Sequence, residues 1–530
     1  MAEGARALMG ERDPYYLTTA IFYPSPKPAL HSMFEAIGAD MIARYRRLLG
    51  ADVRFLTGLD EHSANVERDA RDKGIDPHEL IDPWAATWKA TFERYAISFD
   101  RFIRTTDPDH AVASAEMVRR AQANGDVYQG VYSGWFCTGC NEFKTDQQLV
   151  NGRCPDHPSL EPLWLEENNY FFRLSAYQER LERLYEENRS FCEPEHFRNE
   201  VLGWLKDGLR DFSISRSGAT WGIPFPGDPD HRIYVWFDAL TNYVTGAGFP
   251  NDQAGMEKWW PADLHVIGKN ITRFHCLYWP AMLMSAGLPL PKQVFAHGFM
   301  LDRGEKMSKT AGNVRDPDET AETFGVDGVR YMVLREVPFD RDADVSTEAF
   351  VRRYNADLAN DLGNLVNRTV SMSRRYLDGR LPPVADATHA ADRELQVTAE
   401  RVVAAYHDAM ERHHLHEALA AMMELAQAAN GYAEGQAPWS LVKAGDEARA
   451  GQVLAVMAEA CRFIGHLLAP VAPTGARTLL EQLGAAPPYD ARGAGGPGLG
   501  ALLTWGSGPA DWTTGTAIPI FPRVELEVPA

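Results

Sequence analysis

Gly304-Glu305-Lys306-Met307-Ser308-Lys309-Thr310 follows an apolar and aromatic run at 294–301. A glycine hinge and two lysines separated by Met-Ser make a loop able to close over a polyphosphate. Lysine is a point-charge phosphate binder, suited to charge that moves during a reaction. Taken alone, a short lysine-bearing loop reads as a solvated turn. Its neighbours give it weight: Phe295-Ala296-His297-Gly298-Phe299-Met300-Leu301 before it and Thr310-Ala311-Gly312-Asn313-Val314 after it.

Outward from this loop, the chain reads as a soluble, multi-domain protein. Its 530 residues suffice for two to four domains, and 45% hydrophobic with 24% charged residues is ordinary for a globular enzyme. No apolar run approaches membrane-span length and the N-terminus lacks a signal-peptide core, so no membrane partner and a cytoplasmic location are expected. A net charge of -20 argues against nonspecific nucleic-acid binding but leaves room for a local basic face. Six cysteines in so long a chain do not make a disulfide scaffold.

At the N-terminal end, residues 15–23 are β-branched and aromatic and predict a buried strand, ended by Pro24-Ser25-Pro26-Lys27-Pro28. Met33, Ile37, Met41 and Tyr45 then recur at helical spacing from about Ala29, up to Gly50. A second strand at 53–58 leads into Leu59-Asp60-Glu61-His62. Strand, helix and strand form a βαβ unit whose ligands bind at the carboxyl ends of the strands. No Gly-x-Gly-x-x-Gly stands at the turn between the first strand and its helix, so this unit is not a dinucleotide-binding Rossmann domain.

Residues 233–243 read as a buried strand running into a helix, 264–270 as a strand and turn, and 271–284 as a largely apolar helix. From 355 onward, alanine- and leucine-rich faces predict helices at 356–376, 390–429 and 449–468, a bundle by default. Pro438-Trp439 reads as the opening of a loop, and the Gly/Pro/Ala-rich stretch 485–508 as a mobile surface loop.

Between the strands, Cys137-Thr138-Gly139-Cys140 and Cys154-Pro155-Asp156-His157 give the spacing C-x2-C-x13-C-x2-H. Two close pairs of ligands can surround one ion tetrahedrally, and with no fourth cysteine nearby His157 completes the set, so a structural Zn2+ is expected on Cys137, Cys140, Cys154 and His157. A closed four-ligand site has no open position for catalysis.

The loop and its flanks resemble the Lys-Met-Ser-Lys-Ser region of class I aminoacyl-tRNA synthetases and, more narrowly, the methionyl-tRNA synthetase family. The resemblance runs over 15–525 and includes Asn169-Tyr170-Phe171-Phe172-Arg173-Leu174-Ser175, the stretch 209–216, Trp221-Gly222-Ile223-Pro224 and Tyr331-Met332-Val333-Leu334-Arg335. It implies an α/β fold: a Rossmann-like class I catalytic domain at 1–126 and 233–300, split by a connective insertion with a zinc knuckle at 127–232. A lysine-loop linker at 301–354 and an α-helical anticodon-binding-type bundle with a C-terminal tail at 355–530 complete it. By the same resemblance, Ile21, Tyr23, Trp236, Ala239, Tyr243, Ile271, Phe274 and His275 would line an amino-acid pocket. Asp60 would hold the α-ammonium, and Lys306, Ser308 and Lys309 would bind ATP with its Mg2+. Asn364, Arg368 and Trp439 would read the anticodon of a tRNA. The absence of an appended C-terminal domain suggests a monomer.

One landmark departs from the family. A His-x-Gly-His signature belongs just after the first strand, and here it reads Ala29-Leu30-His31-Ser32. The two family histidines donate hydrogen bonds to the phosphates at a helix N-terminus, and the glycine lets adenine lie against bare backbone. His31 and Ser32 could supply donors from shifted positions, His31 could obstruct adenine, or His31 could be a solvated helix-terminal residue. Asn270 stands where the family usually has Asp, and Leu59 and Ser63 replace Thr and Gly around Asp-Glu-His. The leading expectation is ATP-dependent activation of methionine and its transfer to tRNA. Two alternatives are a paralogue that activates this or another amino acid for a small-molecule acceptor, as in hydrazine-forming machinery with a cupin-type partner, and a catalytically silent binder of tRNA or amino acid.

Overall fold

The structure is a computed structural model and describes residues 13–139, 142–144, 146–155, 157–302, 304–306, 315–384 and 389–525. Strand β1 (Pro14–Phe22), helix α1 (Leu30–Leu48) and strand β2 (Asp52–Leu59) form the expected βαβ unit, with β1 and β2 parallel. Strand β3 (Arg101–Arg104) adds parallel to β2. The chain then leaves the sheet for a long antiparallel ribbon, β4 (Val127–Cys137) against β6 (Leu163–Phe172), with the short β5 (Glu142–Lys144) on the other side of β4.

Residues 127–232 are not one separate body. Strand β7 (Cys192–Glu193), in the middle of that stretch, pairs parallel with a later strand and forms an edge of the main sheet. The buried side chains of Phe191 and Cys192 hold it there. Strands β8 (Phe212–Ser213), β9 (Ser215–Ser217), β10 (Pro224–Phe225) and β11 (Asp228–Ile233) then complete the antiparallel part, β8 beside β6 and β11 between β9 and β10.

Residues 233–243 therefore correct the expectation of a buried strand. Ile233 ends β11, and the apolar residues after it form helices Val235–Leu240 and Asn242–Ala247. A short, fully buried apolar run does not distinguish strand from helix by periodicity. Strands β12 (Leu264–Gly268) and β13 (Val294–His297) return to the parallel sheet, whose order among the described residues is β3-β2-β1-β12-β13-β7. From β1 the chain moves outward one way and later the other, so the switch point lies between β1 and β12, where such sheets bind ligands.

Between β12 and β13 the expected single helix is three pieces: a 3-10 turn Lys269–Ile271, a π-helical turn Phe274–Tyr278, and helix Trp279–Ala286. Strands β14 (Met300–Asp302), β15 (Glu305–Lys306) and β16 (Ala343–Asp344) form a small sheet, and helix Pro317–Glu336 leads toward the bundle.

The bundle contains a π-helical stretch Tyr354–Asn364 running into helix Leu365–Leu377, then helices Ala390–Glu411, Leu415–Gln436 and Glu447–Leu468. The single helix expected over 390–429 is broken where His413 takes a left-handed φ of 57°. No glycine or proline marks that corner. Pro438-Trp439 opens a helical turn, Pro438–Lys443, rather than a loop. Nor is 485–508 a loose surface loop. Tyr489, Leu499, Leu502 and Leu503 are buried in it, and the Ala491 carbonyl accepts a hydrogen bond from Arg44 of α1.

One continuous core runs from β1 and α1 through helix Pro317–Glu336 into the bundle. At its centre Arg330, fully buried, donates to Asp40 of α1 at 2.7 Å and to the carbonyls of Tyr95, Pro470 and Val471. No helix among the described residues is long and apolar enough to cross a membrane.

Candidate active site

The carboxyl ends of β1, β2, β12 and β13 open into one cavity of about 500 Å³. Residues 20–25 reach it from the end of β1 and beyond, Asp60 follows β2, Gly268 and Asn270 come from the end of β12, and 297–300 from the end of β13. The N-terminus of α1 contributes Ala29, His31 and Ser32, and the helices after β11 contribute Trp236, Ala239, Leu240, Asn242 and Tyr243. Of the expected amino-acid pocket, Ile21, Tyr23, Asp60, Trp236, Ala239, Tyr243, Ile271 and His275 line the cavity directly. Phe274 stands behind, stacked on Trp236 with ring centroids 3.7 Å apart and planes 4° from parallel. Tyr23 meets the same indole edge-on at 6.4 Å. These rings make a polarizable wall of the kind a thioether packs against favourably.

The π-helical turn aims this wall. Such turns are rare and often mark functional sites, and this one carries Phe274 and His275. His275 Nδ1 lies 3.0 Å from the Ile271 carbonyl and its Nε2 2.6 Å from the Tyr243 hydroxyl. A carbonyl can only accept, so Nδ1 carries the proton and Nε2 accepts from Tyr243. Burial pushes the His275 pKa down to about 4, so the ring is neutral at physiological pH.

Asp60 is 3% exposed, and its Oδ1 has no hydrogen-bond partner among the described residues. Burial, then the nearby charges of Asp238 and Glu61, hold its carboxyl well above the ordinary carboxylate range. A buried carboxylate oxygen left unsatisfied in a cavity is suited to a cationic ligand group.

The carboxylates and histidines around it were not read from the sequence. Asp238 lies between the pocket residues Trp236 and Ala239, and its two oxygens bond His62 at 2.7 Å and His110 at 2.8 Å. Burial works against its charge, but His110 and His62 outweigh it and hold the carboxyl below the ordinary range. His62 is two residues from Asp60, so the network ties the Asp60 loop to the helix of Trp236. Glu35, on α1, accepts from the Ala20 N–H at 2.9 Å and bonds His297 Nε2 at 2.9 Å. Asp238 and Glu35 sit inside apolar helical runs, and an acidic residue within such a run is the signal that could have marked them; nothing local marks His62 or His110.

At the altered signature, Ala29 is the N-cap of α1 and offers no side-chain cap. The Leu30 N–H instead bonds the carbonyl of Arg315, at the far end of the lysine loop, at 3.1 Å. Lys306 lies on β15, whose backbone pairs with Leu301, while Ser308 and Lys309 lie outside the described residues.

Residues 15–161 and 158–370 match the family described as tRNA synthetases class I (M), and 382–491 match the anticodon binding domain of methionyl tRNA ligase. The chain belongs to the methionyl-tRNA synthetase family. It is 45% identical over 527 residues to the methionine--tRNA ligase of Mycobacterium tuberculosis (strain ATCC 25618 / H37Rv), covering 97% of this chain and 99% of that one. To the methionine--tRNA ligase of Thermosynechococcus vestitus it is 42% identical over 521 residues, covering 97% and 98%. A solved structure of Mycobacterium tuberculosis methionyl-tRNA synthetase in complex with methionyl-adenylate superposes with TM-score 0.90 at 44% identity, over 96% of this chain and 100% of that one. The apo form of the same synthetase superposes with TM-score 0.83 at 42% identity, over 97% and 99%. The fold is thus that of the family: a class I catalytic domain interrupted by an antiparallel insertion and followed by a helical anticodon-binding domain.

Two further groups belong to the expected family sites. Cys137 and Cys154, both buried, and His157 bring one ligand atom each within 4.8 Å of one another. Two sulfurs and an imidazole nitrogen suit zinc, and the expected fourth ligand, Cys140, lies outside the described residues. In the bundle, the Arg368 guanidinium lies 5.4 Å over the Trp439 ring and pairs with Glu434 at 2.7 Å. Exposed Asn364 precedes Arg368 by one turn on the same continuous helical stretch.

Proposed function

We propose that this protein activates methionine with ATP to an enzyme-bound adenylate and transfers the methionyl group to tRNA. The observation that carries it is the orphaned carboxylate oxygen of Asp60 facing a cavity walled by Trp236, Tyr23 and Tyr243. Methionine would place its ammonium on Asp60 and its thioether against the aromatic wall. Its carboxylate oxygen then attacks the α-phosphorus of ATP, forming the mixed anhydride while pyrophosphate leaves. In the second step the terminal ribose hydroxyl of tRNA attacks the methionyl carbonyl and AMP departs. Positioning and charge neutralisation suffice for both steps, so no protein nucleophile is needed.

Lys306, Ser308 and Lys309 would neutralise the triphosphate together with Mg2+, which usually travels with phosphates. His31 and Ser32, at the N-terminus of α1, would add donors from shifted positions. Zinc would be held by Cys137, Cys140, Cys154 and His157 and would stabilise the insertion. Asn364, Arg368 and Trp439 would read the anticodon, the tryptophan by stacking an unpaired base. The domain boundaries set out above, except that β7 belongs to the main sheet, and a monomeric, cytoplasmic enzyme go with this reading. A small-molecule acceptor with a cupin-type partner gains no support, because 382–491 match an anticodon-binding domain. A silent binder gains none from relatives that are named as ligases.

The test is methionine-dependent ATP–pyrophosphate exchange, followed by charging of tRNA. A variant carrying Ala29→His, Leu30→Ile, His31→Gly and Ser32→His is assayed alongside. Exchange by the native protein is expected. Exchange by the restored variant alone would reject the reading.

A further inference from the structure

We infer that Lys27 is a catalytic residue: its ammonium leaves the two aspartates that hold it in the free enzyme and contacts the triphosphate of ATP, adding a cation beside the altered signature. This rests on the proposed activation of methionine by ATP. Lys27 stands two residues before Ala29, the N-cap of α1, and lines the same cavity as His31 and Ser32. Among the described residues lining that cavity, it is the only lysine or arginine.

Its present partners are built to release it. Lys27 Nζ lies 2.6 Å from Asp316 Oδ2 and 2.7 Å from Asp318 Oδ2, at a side-chain exposure of 39%. Both aspartates keep other partners through their Oδ1 atoms. Asp316 Oδ1 caps the following helix, accepting the N–H groups of Asp318 at 2.7 Å and Glu319 at 3.4 Å. Asp318 Oδ1 takes the Arg94 guanidinium at 2.6 Å. When Lys27 departs, neither carboxylate is stranded, and half-exposed ion pairs of this kind hold weakly.

The backbone, by contrast, is fixed. Pro26 and Pro28 flank Lys27, and the Ser25 hydroxyl donates to the Lys27 carbonyl at 2.8 Å. The mobile part is thus a four-carbon stem ending in three donors, beside a helix N-terminus that favours anions. No covalent bond to Lys27 forms or breaks, and the ammonium keeps its proton throughout.

Lys27→Met, Lys27→Arg and Asp318→Asn are compared in methionine-dependent ATP–pyrophosphate exchange, with separate titrations of ATP and of methionine. K27M should lower kcat by roughly 10²-fold with little change in KM for methionine, and K27R should restore most of the rate. D318N should leave exchange at or above the native level, since it frees the ammonium. Native-like exchange by K27M, or equal losses in K27M and D318N, would make Lys27 a mere latch and overturn the inference. If the native protein shows no exchange, the proposed function fails on its own. Lys27 is then read by calorimetric binding of Mg·ATP, where K27M should bind about tenfold more weakly and equal affinity refutes the role.

Discussion

Asp60→Asn tests the amino-acid site directly. The residue is nearly isosteric, so the pocket walls stay in place while the charge is removed. In the free protein Asp60 is 3% exposed with one oxygen unpartnered, so the folding of the chain has already borne the desolvation of that group. Methionine binding adds the attraction, and truncating one member of a buried, hydrogen-bonded charge pair typically costs 2–5 kcal/mol. Taking about 3 kcal/mol, the affinity for methionine should fall roughly 100-fold.

The pH dependence carries a second signature. Burial first, then Asp238 and Glu61, raise the Asp60 pKa in the free protein. An ammonium beside it lowers that pKa in the complex, so binding expels a proton wherever the free carboxyl is still protonated. Affinity for methionine therefore holds above the raised pKa of the free form and declines as pH falls through it, at pH values above the ordinary carboxylate range. Asparagine cannot titrate, so D60N should lack this limb. Titration calorimetry of methionine from neutral to mildly acidic pH measures both effects. Near-native affinity in D60N, or the same acid limb in both proteins, would refute the role given to Asp60.

Other expectations follow from parts of the fold remote from Asp60. Arg330→Met should destabilise the protein by about 3–5 kcal/mol, because Asp40 and several carbonyls lose a buried partner; urea unfolding followed by circular dichroism reads it, and an unchanged midpoint contradicts it. Trp439→Ala should weaken tRNA binding by roughly 1–3 kcal/mol if that ring stacks an anticodon base, as filter binding would show, and unaltered binding removes the assignment. Purified protein should carry about one zinc per chain by elemental analysis, and Cys154→Ser should lose it and loosen the insertion to proteolysis. A metal-free native protein with a protease-resistant insertion counts against a zinc knuckle.

The parts of this architecture that could be read in the sequence are those with local signals. The βαβ opening followed from β-branched runs and helical spacing, and the cysteine pairs from their ligand geometry. The pocket residues came from the family resemblance, and all except Phe274 line the cavity itself. Non-local placement stayed hidden. Two residues at 192–193 join a sheet through a strand a hundred residues later, and no local pattern announces that. The π-helical turn at Phe274–Tyr278 looks like ordinary apolar helix in a periodicity plot. Asp238, His62 and His110 come from three separate segments, so their meeting is a product of tertiary packing alone.

Helix α1 begins at the altered signature and ends against the bundle, where Tyr45 bonds His407 and Arg46 pairs with Glu411. Because its middle is locked to Arg330, the catalytic and anticodon halves are not interchangeable modules. A chimera joining this catalytic half to the bundle of another synthetase would leave Arg330 without the Pro470 and Val471 carbonyls unless the donor supplied matching ones. Truncation after the catalytic half would likewise expose to water the apolar surface that helix Pro317–Glu336 packs against helix Leu415–Gln436 and favour aggregation. The two halves must therefore diverge in step, and an engineered change of acceptor has to carry the bundle with it.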